Sequence, residues 1–255
     1  VRRHFLPHRQ SALMVAIIAA FAARPLIGDV GAAPTIFSIT ILLVLLLALY
    51  NINVDELVGE RRELLAQSRR RRTVGWVLAV MAAAERLSVI VVHNQIMNLV
   101  ESIGWLLFFA FVTFSEMRSI FKHKDITGET ISMAVSIYLL LAATWGFLYL
   151  IIFQRHSGAF AGLAVPTSGH ASDIQPLFAI FGYYSLGTLS TIGAGDIVPI
   201  TLQARYATVA EAIAGQFYLA ILVARLVGLQ MSQSSSGRPE DATPGADVLA
   251  KSAAE

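Results

Sequence analysis

The apolar residues of this chain come in blocks about one bilayer long, and that arrangement constrains the fold more than any other feature. About 20 consecutive apolar residues make one helical crossing of a hydrocarbon core. Six such stretches occur, at 11–27, 34–52, 73–96, 99–120, 130–153 and 201–229. Only 14% of the 255 residues are charged, where a soluble domain carries about 25%. The blocks lack an amphipathic period, so they offer no water-facing side. The sequence therefore predicts an all-α membrane protein with six transmembrane helices. The first stretch is short and ends in Arg24-Pro25, yet no small-residue cleavage signature follows it, so it reads as a span.

Lysine and arginine set the orientation of such a chain, because cytoplasmic segments collect them. With the N-terminus inside, six crossings put 1–10, 53–72, 121–129 and 230–255 on the cytoplasmic side. Together with Arg118, at the inner end of span four, these hold fourteen of the nineteen basic residues. The outer segments hold three, Arg24, Arg155 and Arg205. Both termini are thus expected in the cytoplasm. The stretch 231–255 is polar and rich in Ser, Pro, Gly and Ala, the composition of a disordered tail.

Between spans five and six, 172–190 is too interrupted to cross, and Thr191-Ile192-Gly193-Ala194-Gly195-Asp196 follows it. A selective cation path replaces the hydration shell of the ion with oxygen atoms, mostly backbone carbonyls. Turning successive carbonyls inward calls for left-handed torsions, which glycine adopts without steric cost. Gly193 and Gly195 alternate as that demands, and Thr191 adds a hydroxyl. A short helix over 172–190 would direct its C-terminal carbonyls at a cation.

This pattern resembles the pore of the bacterial potassium channel family. Tyr183-Tyr184-Ser185 stands where the family has an aromatic pair and Ser. Thr188, Ser190 and Thr191 stand at its hydroxyl positions, and Asp196 and Pro199 follow as in many members. Gly215 matches its hinge glycine. The resemblance covers 172–229. It implies a re-entrant pore helix and filter loop in a homotetramer, which conducts potassium passively across a prokaryotic plasma membrane. Potassium ions would bind at Thr191, Ile192, Gly193 and Ala194, with Gly195 completing the filter. It also implies no enzymatic activity, no cofactor beyond the ions and no nucleic-acid partner.

Two positions depart from the family. Its filter has Tyr or Phe where this chain has Ala194, and that ring packs outward against pore-helix aromatics. A methyl group leaves the space to Tyr183 and Tyr184, or leaves the filter wider and softer. Several members carry an acid at the position of Gly187, bonded to the acid after the filter. Here Tyr183 is the candidate donor to Asp196, since a buried carboxylate needs a partner.

On the last helix, Gln216, Leu219, Val223 and Val227 share a face at a period of 3.6 residues and form a candidate gate. Glu211 falls about 140° from Gln216 by that same period, toward the pore helix or span five. It either bonds behind the filter or sits protonated against a neighbouring helix. Glu85 and Arg86, midway along span three, are further candidate modulatory residues, because ionisable groups inside a membrane are expensive. Span four carries no run of arginines, so the 1–120 bundle has a voltage-sensor topology without the sensor charges. Arg69, Arg70, Arg71 and Arg72 suit anionic lipid at the inner surface. The expected organisation is a four-helix bundle at 1–120, a linker at 121–129, a pore domain at 130–230 and the tail at 231–255. Alternatives are a weakly selective monovalent cation channel, because of Ala194, and a cation transporter. The single filter motif and the lack of internal repeats weigh against a transporter.

Overall fold

The computed structural model describes residues 9–27, 95–121, 127–163 and 174–236. These form five α-helices: α1 (Arg9–Ile27), α2 (Gln95–Ile120), α3 (Gly128–Arg155), α4 (Ile174–Leu189) and α5 (Leu202–Ser236). Three contain runs long and apolar enough to cross a membrane, Asn98–Ile120, Gly128–Arg155 and Leu202–Gly228. Shorter apolar runs lie in α1 (Gln10–Ala22) and α4 (Leu177–Leu189). The expected span 34–52 and nearly all of 73–96 lie outside the described residues, as do Glu85, Arg86 and Arg69 to Arg72. α5 continues past its apolar run to Ser236, within the stretch expected as tail.

A reciprocal cap starts α3. The Thr127 hydroxyl accepts the Thr130 N–H at 3.3 Å, and the Thr127 N–H reaches the Thr130 hydroxyl at 3.4 Å. Glu129, in the same turn, serves a second helix. Its Oε2 accepts the Gln10 N–H at 3.0 Å, at the start of α1. A carboxylate there satisfies an orphan donor and complements the positive end of the helix dipole. This contact holds the N-terminal ends of α1 and α3 together, and Phe21 packs against Phe178 of α4 at the other end. The two helices therefore run parallel. α2 runs antiparallel to them, with Ile120 at its C-terminus packed on Met133, Ala134 and Ile137 near the start of α3.

The core between these helices is aromatic. Trp105 and Phe109 of α2 stack on Phe147 of α3 while Phe108 packs edge-on against both, and Phe147 stacks on Phe178 with ring centroids 4.3 Å apart. Such contacts supply specific packing where lipid removes the hydrophobic contrast that drives soluble folding.

The described residues are mostly helical, in keeping with the all-α expectation, with one two-residue ladder outside the helices. β1 (Phe160–Ala161), reached through a short turn at Ser157–Ala159, pairs antiparallel with β2 (Val198–Pro199), with Phe160 opposite Pro199 and Ala161 opposite Val198. Loop backbone beside an apolar medium needs partners, and two loops that lie together supply each other's. The ladder also defines the topology. Because β2 returns to β1, the chain between them leaves and re-enters at the same end of α3. α4 therefore lies on a re-entrant excursion, after which α5 runs back antiparallel to α3.

Candidate functional site

The end of α4 sets the geometry of the loop at 191–196. The Thr191 N–H bonds the Thr188 carbonyl at 3.0 Å, and the Ile192 N–H bonds the Gly187 carbonyl at 2.9 Å. That pair of bonds is a Schellman termination, which needs a left-handed residue at its centre. Here the residue is Thr191, at φ 59°. A β-branched side chain in that region is an outlier. Gly193 and Gly195 follow at φ 55° and 79°, with neither Ile192 nor Ala194 at positive φ. Left-handed torsions at every second residue let consecutive carbonyls share one side of the loop. The sequence pointed to the two glycines; the torsion at Thr191 was not legible, because no residue preference announces it.

Residues 190–196 are exposed in the single chain. Behind them lies a cavity of about 420 Å³ whose lining includes Tyr183, Tyr184, Gly187, Ala194, Thr208 and Ala212. Ala194 is one of the residues that border this space. A Cβ on Gly187 would meet nothing within 4 Å. The structure places Tyr183 and Asp196 on the lining of the same cavity, while the Asp196 Oδ1 accepts the Ile197 N–H at 3.0 Å. The Tyr184 hydroxyl shares a hydrogen bond with Thr208 of α5 at 2.7 Å. Thr188 and Ser190 donate their hydroxyls back to the carbonyls of Tyr184 and Leu186, at 2.9 and 2.6 Å.

Glu211 is fully buried and joins three helices. Tyr149 of α3 donates to its Oε2, and Ser185 of α4 lies in hydrogen-bond contact with its Oε1. The Ser185 hydroxyl also reaches the Ala142 carbonyl of α3 at 2.8 Å. A serine has one hydroxyl proton, and here it faces two acceptors. A protonated Glu211 donating to Ser185, which in turn donates to Ala142, satisfies all three groups. Both faces named from the helical period, toward α4 and toward α3, are thus occupied.

Gly215 lies where α5 crosses the end of α4. A Cβ there would stand 2.7 Å from Leu189 Cδ2 and 2.9 Å from the Leu189 carbonyl oxygen, so the glycine permits close approach of the two helices. α5 is unbroken across it. Gln216, Leu219, Val223 and Val227 are all exposed in the single chain. So are Tyr206, Ile213, Phe217 and Ile221, which leaves most of the circumference of α5 without a partner.

Three features of the site escaped the sequence reading. One is the ladder from β1 to the exit of the 191–196 loop, with Gly162 at φ 81° beside Asp196. The second is Arg225, which donates to the Ile120 carbonyl and lies 5.1 Å from the Phe121 ring centroid. The third is Glu129 at the start of α1. For Arg225 a signal existed, a lone arginine near the end of an apolar span. The other two join residues distant in sequence and carry no local pattern.

Two membrane-length helices flank a re-entrant helix and a glycine-alternating loop. Residues 137–230 match the ion channel family, and the chain is similar to bacterial potassium channels. Over 115 residues it is 33% identical to the voltage-gated potassium channel Kch of Escherichia coli (strain K12), which is 45% of this chain and 23% of that protein. The chain thus spans about a quarter of the length of that relative. No solved structure matches it. The family and the relative that this unit matches are ion channels.

Proposed function

We infer that the protein is a passive cation channel that conducts potassium through the carbonyls of Thr191, Ile192, Gly193, Ala194 and Gly195. Four copies around one axis would bring four such loops together. The observation that carries the reading is the alternation of left-handed torsions at Thr191, Gly193 and Gly195, held between a re-entrant helix and α5. The unpartnered surface of α5 supports assembly as a homotetramer, with Gln216 on the inner cavity and Leu219, Val223 and Val227 on the same face as apolar rings able to gate by dewetting. The protein would then lie in a prokaryotic plasma membrane with six crossings and both termini in the cytoplasm.

Weak selectivity is the form of this reading that the cavity behind Ala194 favours. A loop with open space behind it can widen, and a wider ring of carbonyls distinguishes sodium from potassium less. Flux from liposomes holding purified protein tests the function. Potassium and rubidium should run down their gradients electrogenically, with sodium slower, and Ala194→Tyr should slow sodium further. Uptake that requires a co-transported ion would replace the channel with a coupled transporter.

A further inference from the structure

The outer strand β1 is short, but it and the residues beside it reach the 191–196 loop and its surroundings at three places. At the exit, Gly162 has φ 81°, and a Cβ placed on it would overlap the carbonyl oxygen of Asp196. Any side chain at 162 would therefore displace the residue that ends the loop. Beyond the exit, the Ala159 carbonyl accepts the Ile200 N–H at 2.8 Å, next to the paired residues of β1 and β2. Behind the loop, Phe160 is buried and inserts among aromatic side chains. Its ring centroid lies 5.6 Å from that of Tyr184, 5.1 Å from Phe181 and 5.7 Å from Tyr149, at edge-on or tilted angles.

Tyr184 links the two sides. One side of its ring meets Phe160 and Tyr149, and the residue also lines the cavity that Ala194 opens onto. Its hydroxyl is fixed to Thr208. The ring behind Ala194 is thus supported by a residue from outside the pore helix. Edge-to-face aromatic pairs are directional and resist displacement, so Phe160 limits how far Tyr184 can retreat from the loop.

We propose that residues 159–162 form a strap that positions the filter, with Gly162 seating the Asp196 end and Phe160 bracing Tyr184 behind Ala194. The strap supplies from outside the loop part of the stiffness that a ring at position 194 would supply from within. This proposal rests on the channel reading for its effect on selectivity, but not for the strap itself. Phe160 and Gly162 are therefore positioning residues for ion discrimination.

Two measurements on the full-length protein test it. Hydrogen exchange in detergent micelles should show the Ile200 amide exchanging about tenfold faster or more in Gly162→Ala, because the added methyl forces the strap off Asp196. Unchanged protection at Ile200 would overturn the seating role. In liposomes, Phe160→Leu, which keeps the apolar burial and loses the ring, should lower the potassium-over-sodium flux ratio severalfold. The same change in an Ala194→Tyr background should alter the ratio little, since the new ring occupies the cavity. Equal effects in both backgrounds, or no change in either, would refute the bracing role. Should the parent pass no cation at all, the channel reading and the bracing role that depends on it both fail, while the exchange result still decides the seating role.

Discussion

Replacing Glu211 separates the contribution of its hydrogen bonds from that of a charge. In Glu211→Ala, Tyr149 loses the acceptor for its hydroxyl, whereas Ser185 keeps the Ala142 carbonyl at 2.8 Å. One buried donor is then unsatisfied, at about 1–3 kcal/mol. The space vacated by a fully buried side chain adds a cavity cost of order 1 kcal/mol or more. The sum, about 2–4 kcal/mol, corresponds to a fall in Tm of order 5–15 °C at about 2–4 °C per kcal/mol. Glu211→Gln is predicted to behave differently. Its amide oxygen accepts from Tyr149 and its amide nitrogen donates to Ser185, the arrangement of a protonated carboxyl. Its cost should stay below about 1 kcal/mol, within the size of one ordinary hydrogen bond. Thermal unfolding of the purified protein in detergent, followed by near-ultraviolet circular dichroism, gives both values. A glutamine variant as unstable as the alanine variant would refute the donor count and show that Glu211 acts as an ionised group.

Three further expectations follow from the helices. Gly215→Ala should destabilise by about 1–3 kcal/mol through overpacking, because the new methyl meets the Leu189 carbonyl oxygen at 2.9 Å. Gly187→Ala, with nothing within 4 Å, should instead be neutral or stabilising in the same unfolding assay. α2 has Arg118 as its only basic residue, in its last turn, so conductance should vary little with voltage. A tenfold rise within about 60 mV, the slope of one elementary charge crossing the whole field, would contradict that.

The parts of this structure legible in the sequence are those encoded locally. Span lengths follow from runs of apolar residues, and the loop at 191–196 follows from glycines at alternate positions. The side of α5 on which Glu211 lies follows from the helical period. What the sequence concealed is joined across long separations. Glu129 accepts from Gln10, 119 residues earlier in the chain, and Ala159 pairs beyond the loop with Ile200. Two-residue strands have no alternation to detect. Thr191 shows a further limit, since the backbone at the end of α4 imposes a torsion that its own side chain disfavours. The tertiary arrangement, not the propensity, decides that position.

The central claim is that the 191–195 carbonyls conduct cations passively and hold potassium less strictly because of the space behind Ala194. Its most direct test is the reversal potential of the reconstituted protein in a planar bilayer with potassium on one side and sodium on the other. The account predicts a value between zero and the potassium limit for the parent, moving toward that limit in Ala194→Tyr. A parent value already at the potassium limit, or one that Ala194→Tyr leaves unmoved, would contradict it.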